Sequence, residues 1–270
     1  MPLFNSKLQK VIGPGIIFAG AAIGGSHLMS STTAGARFGF SLVGLILITN
    51  FLKYPFLLVG TRFTASTGMS LLEGFKKRNS SYLPIFLIVS LITGTFTIAA
   101  VSFVSGVLLT NIPLFSNFPP MDLSIMVLVL CGFILLIGKY KALDRLSKIL
   151  VSLLTISTFF AVISLLTKGS LNKELITTFY NSETSPWRLS NLSFLIPLMG
   201  WMPCPVELCV WPSLWMFSKN KVSKYKPTIK EAEFDFNLGY FLTIVTAIFF
   251  VTLGAITMYG TGGGMLSGSG

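Results

Sequence analysis

The chain has 270 residues, of which 52% are hydrophobic and 11% charged, and its mean hydropathy is +0.77. A soluble domain carries roughly 25% charged residues, so this composition argues against a soluble enzyme or binding module and points to an integral membrane protein. The net charge of +11 invites a nucleic-acid reading, and the placement of the basic residues decides against it.

A membrane-crossing helix needs about 20 mostly apolar residues. The first candidate covers roughly 11–37, inside GPGIIFAGAAIGGSHLMSSTTAGARFGF, where Gly24, Gly25, Ser26 and the only histidine, His27, interrupt an apolar run. A Lys-bearing start, a short apolar run and small residues also fit a secretory signal, but the run is studded with glycines, and its removal would invert the topology that the loop charges support. Further stretches follow at 40–60, which contains Lys53, at 82–110, at 121–138 and at 146–167. The sixth, 191–217, reads IPLMGWMPCPVELCVWPSLW and concentrates Pro197, Gly200, Pro203, Pro205 and Pro212; the seventh is 233–259. Threading seven spans with the N-terminus inside puts fifteen Lys and Arg residues on the cytoplasmic side and four (Arg37, Lys168, Lys173, Arg188) outside. That is the positive-inside bias, and it places the N-terminus in the cytoplasm of an inner membrane. Cys131, Cys204 and Cys209 all fall in predicted spans and read as buried reduced thiols.

Interior prolines and paired glycines weaken helices, and irregular backbone at membrane depth is tolerated only in protein or along a cavity. Each interrupted stretch alone reads equally as a kinked, tightly packed helix. Two of them five spans apart mark the discontinuous helices of a secondary transporter, whose solute sits between them.

These residues resemble the Nramp family of divalent-metal transporters with the LeuT-like inverted-repeat fold. The first stretch is similar to the family's first helix, which begins Gly-Pro and ends Gly-Ala-Arg-Tyr-Gly-Tyr-Ser-Leu; here the corresponding residues are Gly13-Pro14 and GARFGFSL. Asn50, Thr67-Gly68, Met202-Pro203 and Asp235 add support. The resemblance implies an all-α membrane fold with helices one and six broken, and it places the family's Asp-Pro-Gly-Asn motif on Gly24, Gly25, Ser26 and His27. It puts metal-facing carbonyls on Ala21 and Met199, keeps the soft thioether ligand as Met202, and replaces the Met-Pro-His histidine by Cys204. The third helix lacks the acids that the family links to proton movement. The expected site is therefore Ala21, Gly24, Gly25, Ser26, His27, Met199, Met202, Cys204 and Glu207, with His27 and Met202 as metal ligands.

Ionisable groups well inside the spans are expensive and face a cavity or a partner. Glu207 either restores the negative charge missing at Gly24, or neutralises Lys53 or caps a half-helix. His27 is either a ligand or proton carrier or a ring bonded to a hydroxyl such as that of Ser26, and Lys53 is expected to snorkel to the cytoplasmic interface. The leading function is transport of a metal cation by alternating access, with no resident cofactor; a small organic solute on the same fold is the alternative, favoured by Trp201, Trp211 and Trp215. A sensor or assembly subunit is a third. Two five-helix repeats need at least three spans more than are present, so the glycine-rich ending GTGGGMLSGSG reads as the end of a partial gene product.

Overall fold

The computed structural model describes residues 10–167, 173–178 and 185–259; Lys7, part of the 168–190 loop and the ending 260–270 lie outside them. Among the described residues every regular element is a helix. In chain order these are α1 (Pro14–Ala22), a π-helical turn (Ser26–Ser31), α2 (Thr32–Phe38), α3 (Val43–Thr67), α4 (Leu71–Arg78), α5 (Tyr82–Leu109), α6 (Pro120–Thr167), α7 (Lys173–Thr177), α8 (Leu192–Trp201), a 3-10 turn (Val206–Cys209), α9 (Trp211–Ser223) and α10 (Ile229–Met258).

Among the described residues five stretches are long and apolar enough to cross a membrane: α3, α5, α6, Leu189–Cys209 and α10. The predicted stretches 121–138 and 146–167 both fall in α6. At 1.5 Å per residue a straight helix of that length would reach roughly 70 Å, more than twice the hydrocarbon thickness. It is broken at Lys139, whose φ of 48° is non-helical, and becomes two segments of crossing length. The first predicted stretch does not form a continuous crossing helix; it is divided among α1, the π turn and α2.

Helix α10 is the centre of the molecule, packed along α1, the π turn and α2 and against α3 and α6. Its buried stripe, including Asp235, Gly239, Thr243, Thr246, Ala247, Gly254 and Ala255, recurs at helical spacing and consists mostly of small residues. Small faces let backbones approach closely where lipid offers no hydrophobic drive for helix association. At Gly15, opposite Gly239, a Cβ would overlap the Asp235 carbonyl oxygen, and at Gly35, opposite Gly254, one would overlap that of Val251.

Two apolar clusters lie on either side of the middle of this bundle. One gathers Phe38, Leu42, Ile46, Leu198, Met202 and Val251, and the other Phe18, Leu57, Leu58, Leu208, Phe236 and Tyr240. Between them runs a buried polar layer of Ser26, His27, Thr49, Asn50, Thr243 and Thr246. On the outside, α5 and α6 present large apolar side chains; Leu91, Phe96 and Leu136 are more than 70% exposed, as helices facing lipid require.

Candidate functional site

The first break follows from Gly24-Gly25. Helix α1 stops at Ala22: Ile23 N–H still reaches Ala19 O at 2.8 Å, but Gly24 N–H turns back to Ala22 O at 2.9 Å. The ladder resumes only with Leu28 N–H on Gly24 O at 3.0 Å. Ser26 Oγ lies 2.9 Å from Ala22 O and 2.8 Å from His27 Nδ1. His27 is fully buried, and its Nε2 sits 3.0 Å from Thr243 O on α10. A carbonyl only accepts, so the Nε2 proton goes to Thr243.

The second break follows from Pro203 and Pro205. A proline has no N–H for the carbonyl four residues back, so Pro203 deprives Met199 of its helical donor and Pro205 deprives Trp201. Met202 N–H still bonds Leu198 O at 3.0 Å, and α8 ends there. The freed carbonyls have another donor: Lys53 Nζ, reaching across from α3, donates to Met199 O at 2.7 Å and Gly200 O at 2.6 Å, with Cys204 O at 3.5 Å. Lys53 does not snorkel to the interface, because these orphaned carbonyls offer its charge partners at its own depth.

The two breaks meet. Ser26 Oγ approaches Pro203 O at 3.4 Å, and the Trp201 ring lies against Gly25, where a Cβ would come within 2.9 Å of it. Between them opens a cavity of about 260 Å³, lined by Gly20, Ala21, Ala22, Gly24, Gly25, Ser26, Trp201 and Pro205, and closed by Thr97 and Val101 of α5. Its polar equipment is the Ser26 and Thr97 hydroxyls and freed backbone.

The expected site residues separate into groups. Ala21, Gly24, Gly25 and Ser26 line the cavity. Met199 presents its carbonyl to Lys53. His27 has both ring nitrogens engaged and points into the bundle. Met202 packs in one apolar cluster and Cys204 in the other, each almost fully buried. Glu207 lines a second cavity, of about 330 Å³, between α4, α5 and the 3-10 turn, together with Tyr82, Phe86, Ser90 and Cys209. Its carboxylate is buried and, among the described residues, its Oε2 has no hydrogen-bond partner; nor does Ser90 Oγ, on the α5 wall of the same cavity. Glu207 does not neutralise Lys53: the ion pairs among the described residues are Arg62–Glu233, Asp144–Lys148 and Asp144–Lys219. Among the described residues no group of three or more His, Cys, Asp or Glu side chains is placed to hold a metal ion. The cysteines are unpaired; Cys204 is buried as expected, whereas Cys131 is exposed on the outer face of α6.

Sequence reasoning missed three contributions. Thr97 and Val101 close the cavity from a helix with no motif to mark them. The hold of Lys53 on Met199 was foreshadowed by Pro203, which leaves the carbonyl four residues earlier without its donor. Asp235 accepts from Gly13 N–H at 2.9 Å and Gly15 N–H at 2.7 Å, capping the start of α1.

The chain superposes on a variant of the manganese transporter of Eremococcus coleocola with a TM-score of 0.70 at 18% identity, over 94% of this chain and 53% of that one. It is 37% identical over 258 residues to an uncharacterized protein of Pasteurella multocida (strain Pm70), covering 96% of this chain and 58% of the relative. It is 21% identical to the divalent metal cation transporter MntH of Latilactobacillus sakei, over 96% of this chain and 56% of that one. The chain thus spans little more than half the length of these relatives. The family described as natural resistance-associated macrophage protein-like matches residues 15–268, the sequence that builds both breaks, and with the helical, LeuT-like fold of its described residues the chain belongs to the Nramp family.

Proposed function

We propose that the protein is a secondary transporter that carries a metal cation across the bilayer by alternately exposing the cavity between its two helix breaks. The observation that carries this reading is the meeting of Gly24–Ser26 with Trp201–Pro205 around a partly open cavity of about 260 Å³ at the level of the buried polar layer. Its kinship with MntH and the manganese transporter makes manganese the first cation to test.

The donor set departs from a hard-ion site. Manganese favours carboxylate and carbonyl oxygen, and here the cavity presents hydroxyls, backbone and a tryptophan face. Glu207, beyond Pro205 and Val206 in the next cavity, supplies the buried negative charge nearest along the chain. In this reading the ion is held by oxygen ligands near Ala21 and Ser26, keeps part of its water, and moves toward Glu207 as counter-charge. Glu207→Gln is expected to abolish manganese uptake while leaving the folded yield unchanged, and Gly24→Asp to tighten manganese binding at least tenfold. Uptake into vesicles, measured with a panel of divalent metals and a panel of small organic solutes, tests the substrate class. The aromatic wall and the lack of a carboxylate favour an organic solute as the second reading, and uptake of organic solutes alone would replace the first.

A further inference from the structure

Met199 and Gly200 end α8 with carbonyls that have lost their helical donors, Met199 because residue 203 is proline and Gly200 because the chain leaves the helix before Cys204. The last carbonyls of a helix form its negative pole. Lys53 Nζ stands on both, at 2.7 and 2.6 Å. It lies ten residues into the 25-residue α3, at crossing depth, and it forms no ion pair among the described residues. An ammonium there is costly unless something at that depth compensates it, and these carbonyls are what compensates it.

We propose that the Lys53 ammonium is the resident cation of the sixth-helix break and determines which ions gain the carbonyls at the end of α8, next to the Trp201 wall of the cavity. While Lys53 occupies these carbonyls, a divalent ion arriving at Met199 meets a fixed positive charge and an oxygen already engaged; it gains that ligand only when the lysine withdraws. Lys53 is in this sense a specificity-determining residue: it raises the threshold for divalent cations and sets the protein apart from a site with open carbonyls. The inference rests on the cation-transport reading of the neighbouring cavity, whose lining reaches α8 at Trp201.

The test is calorimetric titration of the purified protein in detergent with manganese chloride, for the unaltered chain, Lys53→Met, Lys53→Gln, Lys53→Arg and Glu207→Gln, with thermal melts to verify folding. Lys53→Met and Lys53→Gln are expected to bind manganese at least tenfold more tightly than the unaltered protein, and Lys53→Arg, which keeps the charge and the donors, to bind as weakly. If the methionine variant fails to fold, the glutamine variant, which retains a donor for the carbonyls, decides. Manganese binding that is lost in Glu207→Gln but unchanged in the neutral Lys53 variants overturns the role of Lys53 and leaves the transport reading standing. Absence of manganese binding in every variant overturns both.

Discussion

Ser26 has one hydroxyl proton and faces three acceptors: Ala22 O at 2.9 Å, His27 Nδ1 at 2.8 Å and, more distantly, Pro203 O at 3.4 Å. With the Nε2 proton of a neutral His27 given to Thr243, Nδ1 competes with Ala22 for the Ser26 hydrogen, so Ser26 and His27 together tie the first break to α10 and bring it against the second. Bonded at both nitrogens, the buried ring bridges Ser26 and Thr243. His27→Ala is expected to remove the second donor from Thr243 O, which keeps its helical bond within α10, and to destabilise the protein by about 0.5–1.5 kcal/mol, read as a lower midpoint in detergent unfolding. His27→Gln should leave manganese affinity within twofold of the unaltered protein; a larger loss would make His27 a ligand after all. The residue types at the first break were legible in the sequence, because Gly-Gly inside an apolar run is a physical signal. Whether His27 was ligand or bridge was not legible, because its partner Thr243 lies 216 positions away and nothing local announces it.

At the scale of elements, α1 is only nine residues long and is fixed at its ends and along one face. At its start, the Asp235 carboxylate takes two backbone N–H groups, and Lys148 Nζ donates to Ile12 O at 3.1 Å while pairing with Asp144 at 2.9 Å. Lys219 joins the same Asp144 at 3.3 Å; burial pushes its ammonium below the ordinary lysine range, and Asp144 opposes that shift. Along its face, Gly15 presses on α10. Asp235→Asn keeps the side-chain shape but gives up the charge and one of the two acceptors, so amide hydrogens of residues 16–22 are expected to exchange at least fivefold faster, with little change in α5. Gly239→Val should separate α1 from α10 and lower the folded yield, since a side chain there would strike the Gly15 backbone. The sequence marked Asp235 only through resemblance; the reason for it appears once Gly13 and Gly15 are seen to aim their amides at it.

For the whole molecule, the apolar lengths of the sequence located the helices, because burial in lipid dictates run length and composition before any tertiary contact forms. For residues 11–37 run length alone would have given one continuous helix, and it was the Gly24-Gly25 pair that marked the break the structure shows. The Lys and Arg bias predicts that a cysteine placed at Ser185 labels from outside and one at Lys224 only from inside. The opposite pattern in intact cells would invert the topology.

The capped start of α1 has a mechanical consequence. From Gly13 to the break at Gly24 is about 16 Å of helix, so a tilt of roughly four degrees about the break moves the tip by about 1 Å. Hydrogen bonds of 2.7 and 2.9 Å do not survive that stretch. Both bonds end on one carboxylate and fail together, so Asp235 acts as a catch that gives way in one step, while Lys148 on Ile12 and the seat of Gly15 on α10 still hold the helix.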